Sequence, residues 1–92
     1  MVGTRVQRAP SLSRTAPGFV VVASQDGRCV EMGGSAAAIW SELPDPDSEP
    51  ISIPQLVALL VARFGISADT AARDALAVLE SLEEIGCAVR SA

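Results

Sequence analysis

Large apolar residues are sparse before Pro17 and dense after it. Among residues 1–17 only Val6 and Leu12 join Met1 and Val2, set among arginines, serines and the breakers Pro10 and Pro17. This pattern predicts a short edge strand near Arg5–Arg8 followed by irregular chain. From Gly18 the pattern changes. Phe19-Val20-Val21-Val22-Ala23 is β-branched and aromatic and has strand length. Gln25-Asp26-Gly27 follows, and Asp-Gly favours a hairpin because glycine tolerates the positive φ that the turn demands. Arg28-Cys29-Val30-Glu31-Met32 then alternates, with Val30 and Met32 on one face and Cys29 and Glu31 on the other. Together these runs predict an antiparallel hairpin.

Helical periodicity takes over after Gly33-Gly34-Ser35. Ser35 is the expected N-cap of a two-turn helix in which Ile39, Trp40 and Leu43 form the apolar stripe, and Pro44 ends it. Pro44-Asp45-Pro46-Asp47-Ser48-Glu49-Pro50 reads as a solvated acidic loop. Ser52-Ile53-Pro54-Gln55 has the form of a capping box with proline in the first turn. Behind it Leu56, Val57, Leu60, Val61 and Phe64 form a stripe that stops at Gly65. Ser67 is the expected cap of a third helix, with Asp69 in its first turn and Ala72, Ala75, Leu76, Leu79, Leu82 and Ile85 as its stripe up to Gly86. Cys87-Ala88-Val89-Arg90 is at most a strand stub. The expected fold is α+β: a small antiparallel sheet of three strands followed by three helices. The tight turn at Gly65-Ile66 makes the last helix pair a helix-turn-helix, and the strands beside it make it winged. One domain over residues 1–92 is expected, fraying at 1–4 and 90–92.

Composition narrows the chemistry. With 92 residues, 49% apolar and 20% charged, the chain is globular and has material for one modest core. It contains no His, Lys, Tyr or Asn. Without His, the commonest general base and metal ligand are missing, and Ser/His/Asp or Cys/His catalysis is impossible. Without Lys there is no Schiff base and no phosphate-loop lysine. The expectation is therefore no enzyme, no cofactor and no metal. A net charge of −4 argues against nucleic acid as a partner. No run of about 20 apolar residues could span a membrane. The arginines near the start are not followed by an apolar segment, so a secretory signal is not expected and a cytoplasmic location is. Cys29 and Cys87 have no metal-ligand spacing and read as two half-buried reduced thiols.

One feature of the hairpin does suggest a binding function. Arg28–Met32 has neither Pro nor Lys to block pairing, and helices follow it rather than another strong strand. An open edge there offers unpaired N–H and C=O groups to an extended peptide, and a groove against an apolar helix would supply side-chain pockets. The same edge could instead take a second copy of the chain. On its own Glu31 reads as a surface carboxylate.

The run Val20-Val21-Val22, then Asp26-Gly27, then Val30 to Trp40 reads strand, turn, strand, small residues and a helix ending in Ile39-Trp40. Ile53-Pro54-Gln55-Leu56-Val57-Ala58-Leu59-Leu60 with Phe64-Gly65-Ile66, and Ala75 to Gly86 with its Leu82-to-Gly86 finish, complete the order. In this order, spacing and length the chain resembles the PqqD-like family, the RiPP recognition elements, from about Arg5 to Val89. RiPPs are ribosomally synthesised and post-translationally modified peptides. One departure is Met32-Gly33, where the family often has Leu-Asn, an Asn placed to cap or brace that turn.

The resemblance implies a stand-alone, non-catalytic domain. Such domains bind the leader segment of a precursor peptide and present it to a tailoring enzyme such as a leader peptidase, cyclase or radical enzyme. A lasso peptide pathway is the expected context. In the family the leader adds to the third strand and lies against the third helix. On this sequence that implies Arg28, Cys29, Val30, Glu31 and Met32 on the strand. On the helix it implies Arg73, Asp74, Ala77, Val78 and Ser81, which flank the core stripe. Two readings compete with it. A winged-helix DNA-binding protein would have nearly the same fold, but the third helix offers Arg73 against Asp69, Asp74, Glu80, Glu83 and Glu84. A self-associating module would use the open strand edge to form a homodimer.

Overall fold

The computed structural model describes residues 4–91. The elements in chain order are β1 (Arg5–Arg8), β2 (Ser11–Ala16), β3 (Phe19–Ser24), β4 (Cys29–Gly33), α1 (Gly34–Glu42), β5 (Ile51–Ser52), α2 (Ile53–Phe64), α3 (Ala68–Glu84) and β6 (Ala88–Ser91). The fold is α+β with three helices and small antiparallel sheets, as the sequence pattern predicts. The strands form two three-stranded sheets, however, where one was expected: β5-β1-β6 and β2-β3-β4.

Three strand assignments differ from expectation. Ser11–Ala16, read as irregular, pairs with β3 over its whole length, from Ser11↔Ser24 to Ala16↔Phe19. Its serines, Arg14 and Thr15 carry no apolar alternation, so the pairing itself holds it as a strand. Pro17-Gly18 acts as the hairpin turn, with Gly18 at φ +86° in the second central position, where a residue other than glycine would be strained. β1 is the centre of its sheet, not an edge: it pairs with β6 from Arg5↔Ser91 to Arg8↔Ala88, and with β5 at Arg5↔Ser52 and Val6↔Ile51. Of the ends expected to fray, residues 1–3 and 92 lie outside the described residues, while Arg90 and Ser91 are paired in β6 and the Thr4 carbonyl accepts from the Ile53 N–H at 3.1 Å.

Helix termini follow the sequence more closely. Ser52 and Gln55 form the reciprocal capping box, at 3.2 and 2.9 Å. The Ser67 hydroxyl accepts from the Thr70 N–H at 3.2 Å. The exception is Ser35, which does not cap α1: the extended Gly33 holds the N-cap position without a side-chain bond, and β4 runs straight into the helix. Between α2 and α3 the chain bends by 117° at a short turn, which fits a helix-turn-helix arrangement.

The core gathers Val6, Val20, Val22 and Met32 from the strands with Ile39, Trp40, Leu56 and Leu60 from the first two helices and Leu43 from the C-cap of α1. On α3 the fully buried line is Ala71, Ala75, Leu79 and Leu82, whereas Ala72, Leu76 and Ile85 are half-buried. The predicted stripe is therefore rotated slightly from the true one. Phe64 is 41% exposed at the last position of α2, where the chain turns away from the core, and Arg63 stacks on its ring. The thiols are not both half-buried: Cys87 is buried and Cys29 is exposed. The acidic loop after α1 is exposed but anchored. Gln7 Nε2 donates to the carbonyls of Asp45, Pro46 and Ser48 at 3.1–3.4 Å, and Arg8 pairs with Asp45 at 3.0 Å.

Candidate functional site

β4 is paired with β3 on one side, and among the described residues no strand pairs with its other side. The hairpin turn settles which of its backbone groups face outward. Gly27 donates to the Ser24 carbonyl at 3.1 Å and Ser24 donates to the Arg28 carbonyl at 2.7 Å, while Gly27 takes φ +92°. This is a three-residue loop closed by a glycine bulge. Hydrogen-bonded pairs alternate along an antiparallel ladder, so Ser24/Arg28 is followed by Val22/Val30 and Val20/Met32. At the far end the Gly34 N–H reaches the Gly18 carbonyl at 3.4 Å and keeps the same alternation. Arg28, Val30 and Met32 thus bond to β3. Cys29 and Glu31 turn their N–H and C=O groups toward the open side, and Gly33 its N–H, while the Gly33 carbonyl at the N-cap starts α1.

Beside this edge lies a groove of about 300 Å³. β4 contributes Val30, Glu31, Met32 and Gly33, α1 contributes Ala36, and α3 contributes Ala77, Val78 and Ser81. Small residues on both walls create the space, and Met32 and Val30 join it to the core. Its surface is apolar in character. The Ser81 hydroxyl donates back to the Ala77 carbonyl at 3.2 Å, and Glu31 borders the groove through its backbone, its side chain lying with Val21 on the far face of the sheet. Such a site can hold an extended chain and apolar side chains.

Of the residues expected at the site, Val30, Glu31, Met32, Ala77, Val78 and Ser81 come together in the groove. Cys29 and Arg28 do not line it. The Cys29 side chain is exposed on the far face of the sheet. Arg28 donates from Nη1 to the Glu84 carbonyl at 3.1 Å and pairs with Asp26 at 3.1 Å, so it braces the hairpin against the end of α3. Arg73 and Asp74 sit one turn before Ala77, outside the groove. Gly33 and Ala36 were missed. Their signal was the small-residue run after Met32, which reads as a strand break when its lack of side chains is not taken as space.

Electrostatic perturbation lies at the turn rather than in the groove. The Ser24 hydroxyl bond, aided by the charge and hydrogen bonds of Arg28, holds the Asp26 carboxyl below the ordinary aspartate range. Burial pushes the Cys87 thiol up, and the negative charge of Asp26 adds to this. Among the described residues no three His, Cys, Asp or Glu side chains gather into a metal site. No helix among them is long and apolar enough by itself to cross a membrane.

The molecule is thus a small α+β recognition scaffold, with an open-edged sheet packed on a helix. Residues 18–87 match the model of the family described as coenzyme PQQ synthesis protein D (PqqD), and the chain belongs to this family of RiPP recognition elements. Comparison with curated proteins and with solved structures returned no match. The family consists of non-catalytic recognition domains that bind precursor peptides and work with biosynthetic enzymes. The matched span starts at the turn before β3 and ends at Cys87, so β1, β2 and β6 lie outside it.

Proposed function

We propose that this chain binds the leader segment of a ribosomally made precursor peptide by strand addition at the free edge of β4 and presents it to a tailoring enzyme. A lasso peptide leader peptidase is the favoured partner. The observation that carries this reading is the outward backbone of Cys29, Glu31 and Gly33 running beside the apolar groove. Cys29 and Glu31 each offer one donor and one acceptor and Gly33 its N–H, five groups in all, since the Gly33 carbonyl at the N-cap accepts the first bond of α1. In an added strand, residues opposite Val30 and Met32 turn their side chains into the groove, toward Ala77 and Val78. The residue opposite Glu31 turns away. The leader therefore presents two apolar side chains at positions i and i+2. Arg28 and Cys29 border the strand end of this site, and Arg73 and Asp74 extend its helix wall.

Magnitudes are in keeping with this. Each backbone bond contributes about 0.5–1.5 kcal/mol net. Two apolar side chains contribute about 1.5–3 kcal/mol each before ordering costs. Sub-micromolar affinity for an otherwise disordered leader is the expected outcome.

The test is a fluorescence-polarisation titration with a synthetic leader peptide from a precursor gene adjacent to that of this chain. Glu31→Pro removes an outward N–H and leaves the β3 ladder intact, whereas a proline at Val30 would sever it. Binding is expected to be tight for the unmodified chain, lost in Glu31→Pro and largely kept in Glu31→Ala. Absence of binding at tens of micromolar would contradict the proposal.

A further inference from the structure

The face of the β2-β3-β4 sheet turned away from the helices is apolar along its centre. Phe19, Val21 and Ala23 of β3 lie on it, and cross-strand pairing puts Leu12 of β2 beside Ala23. Leu12 is 78% exposed and Phe19 38%. Arg14, Val21 and Glu31 form one row across the three strands, a cation on one flank and an anion on the other. Neither charge has an ion-pair partner among the described residues.

We propose that this face is a docking surface for a second copy of the chain, forming a face-to-face homodimer. The charge row selects the geometry. Consider the two-fold axes that lie between stacked sheets and pass over Val21. An axis across the strands sets Arg14 on the partner's Arg14 and Glu31 on the partner's Glu31, which is repulsive. An axis along β3 sets Arg14 on the partner's Glu31, and the reverse, giving two ion pairs by symmetry. Stacked sheets lie about 10 Å apart, a gap that an arginine and a glutamate side chain together can bridge. The same operation stacks Phe19 and Val21 on their own copies along the axis and covers Leu12 with the β4 strand of the partner. The face is thus complementary to itself in charge, with its apolar row laid on its own copy. The free edges of both β4 strands remain at the sides of the stack, so the dimer carries two open grooves. This differs from edge-to-edge pairing, which would occlude them.

Sedimentation velocity of the full chain from micromolar to millimolar concentration tests the proposal. A concentration-dependent dimer is expected. Arg14→Glu and Glu31→Arg should each raise its dissociation constant by about tenfold or more, since each places two like-charge contacts in the interface. The double exchange R14E/E31R should restore it, which also separates the interface from any effect of a single variant on folding. Leu12→Gln, at an exposed position, should weaken the dimer in the same direction. A monomer throughout would overturn the proposal, as would a dimer indifferent to Arg14→Glu, or single-variant losses that the double exchange does not repair.

Discussion

Arg8 stacks its guanidinium 4.4 Å over the centre of the Trp40 ring and donates from Nη2 and Nε to the Trp40 carbonyl at 2.8 and 3.3 Å. Trp40 is in the last turn of α1, and its carbonyl also accepts from the N–H of the C-cap residue Leu43 at 3.2 Å. A side chain from β1 thus caps the helix that carries Ala36, one wall of the groove. Its third nitrogen holds Asp45 at 3.0 Å and fixes the loop that follows. Arg8 lies outside the span matched to the PqqD family, residues 18–87.

Arg8→Ala is expected to lower stability by about 1–3 kcal/mol, the combined scale of a cation–π contact and hydrogen bonds to a charged group. Arg8→Lys should recover only part of it, because an ammonium cannot fork across the Trp40 carbonyl and Asp45 while lying flat on the ring. Urea unfolding measures both. A loss below a few tenths of a kcal/mol for Arg8→Ala would show that the contact does not brace the fold.

Ala77 is exposed and lines the groove. Ala77→Trp should fill the space meant for a leader side chain and weaken leader binding by about tenfold or more, the scale of one buried apolar side chain. Its thermal midpoint should stay within a degree or two of the unmodified chain, since the site faces solvent. Unchanged affinity would place the peptide elsewhere.

The two thiols should react differently. With Cys29 exposed and Cys87 buried and its ionisation suppressed, a thiol-specific reagent should titrate one cysteine in the native chain and both in denaturant. Cys29→Ser should abolish the native reaction. Equal reactivity of both thiols in the folded chain would contradict the packing of Cys87.

Asp26 supplies a pH dependence of known sign. Its folded pKa lies below the ordinary aspartate value. A carboxylate depressed in this way contributes stability above its unfolded pKa, and the contribution is lost as pH falls through the folded value. The hairpin turn should therefore loosen only below about pH 4. An NMR titration of the Asp26 carboxyl should give a midpoint under the ordinary aspartate range, moving back toward it in Ser24→Ala. A midpoint at or above that range would refute the bond network at the turn.

The β3–β4 hairpin and the α2 cap were legible because their signals are local: alternation and Asp26-Gly27 for one, Ser52 and Gln55 for the other. β2 was not legible, because Ser11–Ala16 is a strand only through its pairing with β3. β1 looked like an edge because its neighbours, β5 and β6, are distant in sequence, and one of them is two residues long. Within the groove, Ala77, Val78 and Ser81 were placed through the family resemblance and through their position beside the core stripe. Gly33 and Ala36 were not, since a cavity wall made of small residues has no positive signal. The outward set of amides could not be read either. It follows from the bulge at Gly27-Arg28, which sets the phase of the whole ladder.

That phase makes the account directly measurable. Amide hydrogen exchange of the free chain, followed by NMR, should show Val30 and Met32 protected by β3 and Cys29, Glu31 and Gly33 exchanging freely. Saturating leader peptide should protect Cys29, Glu31 and Gly33 and leave the Val30 and Met32 rates governed by the β3 pairing. A bound leader that leaves those three amides as exchangeable as before would contradict strand addition at β4.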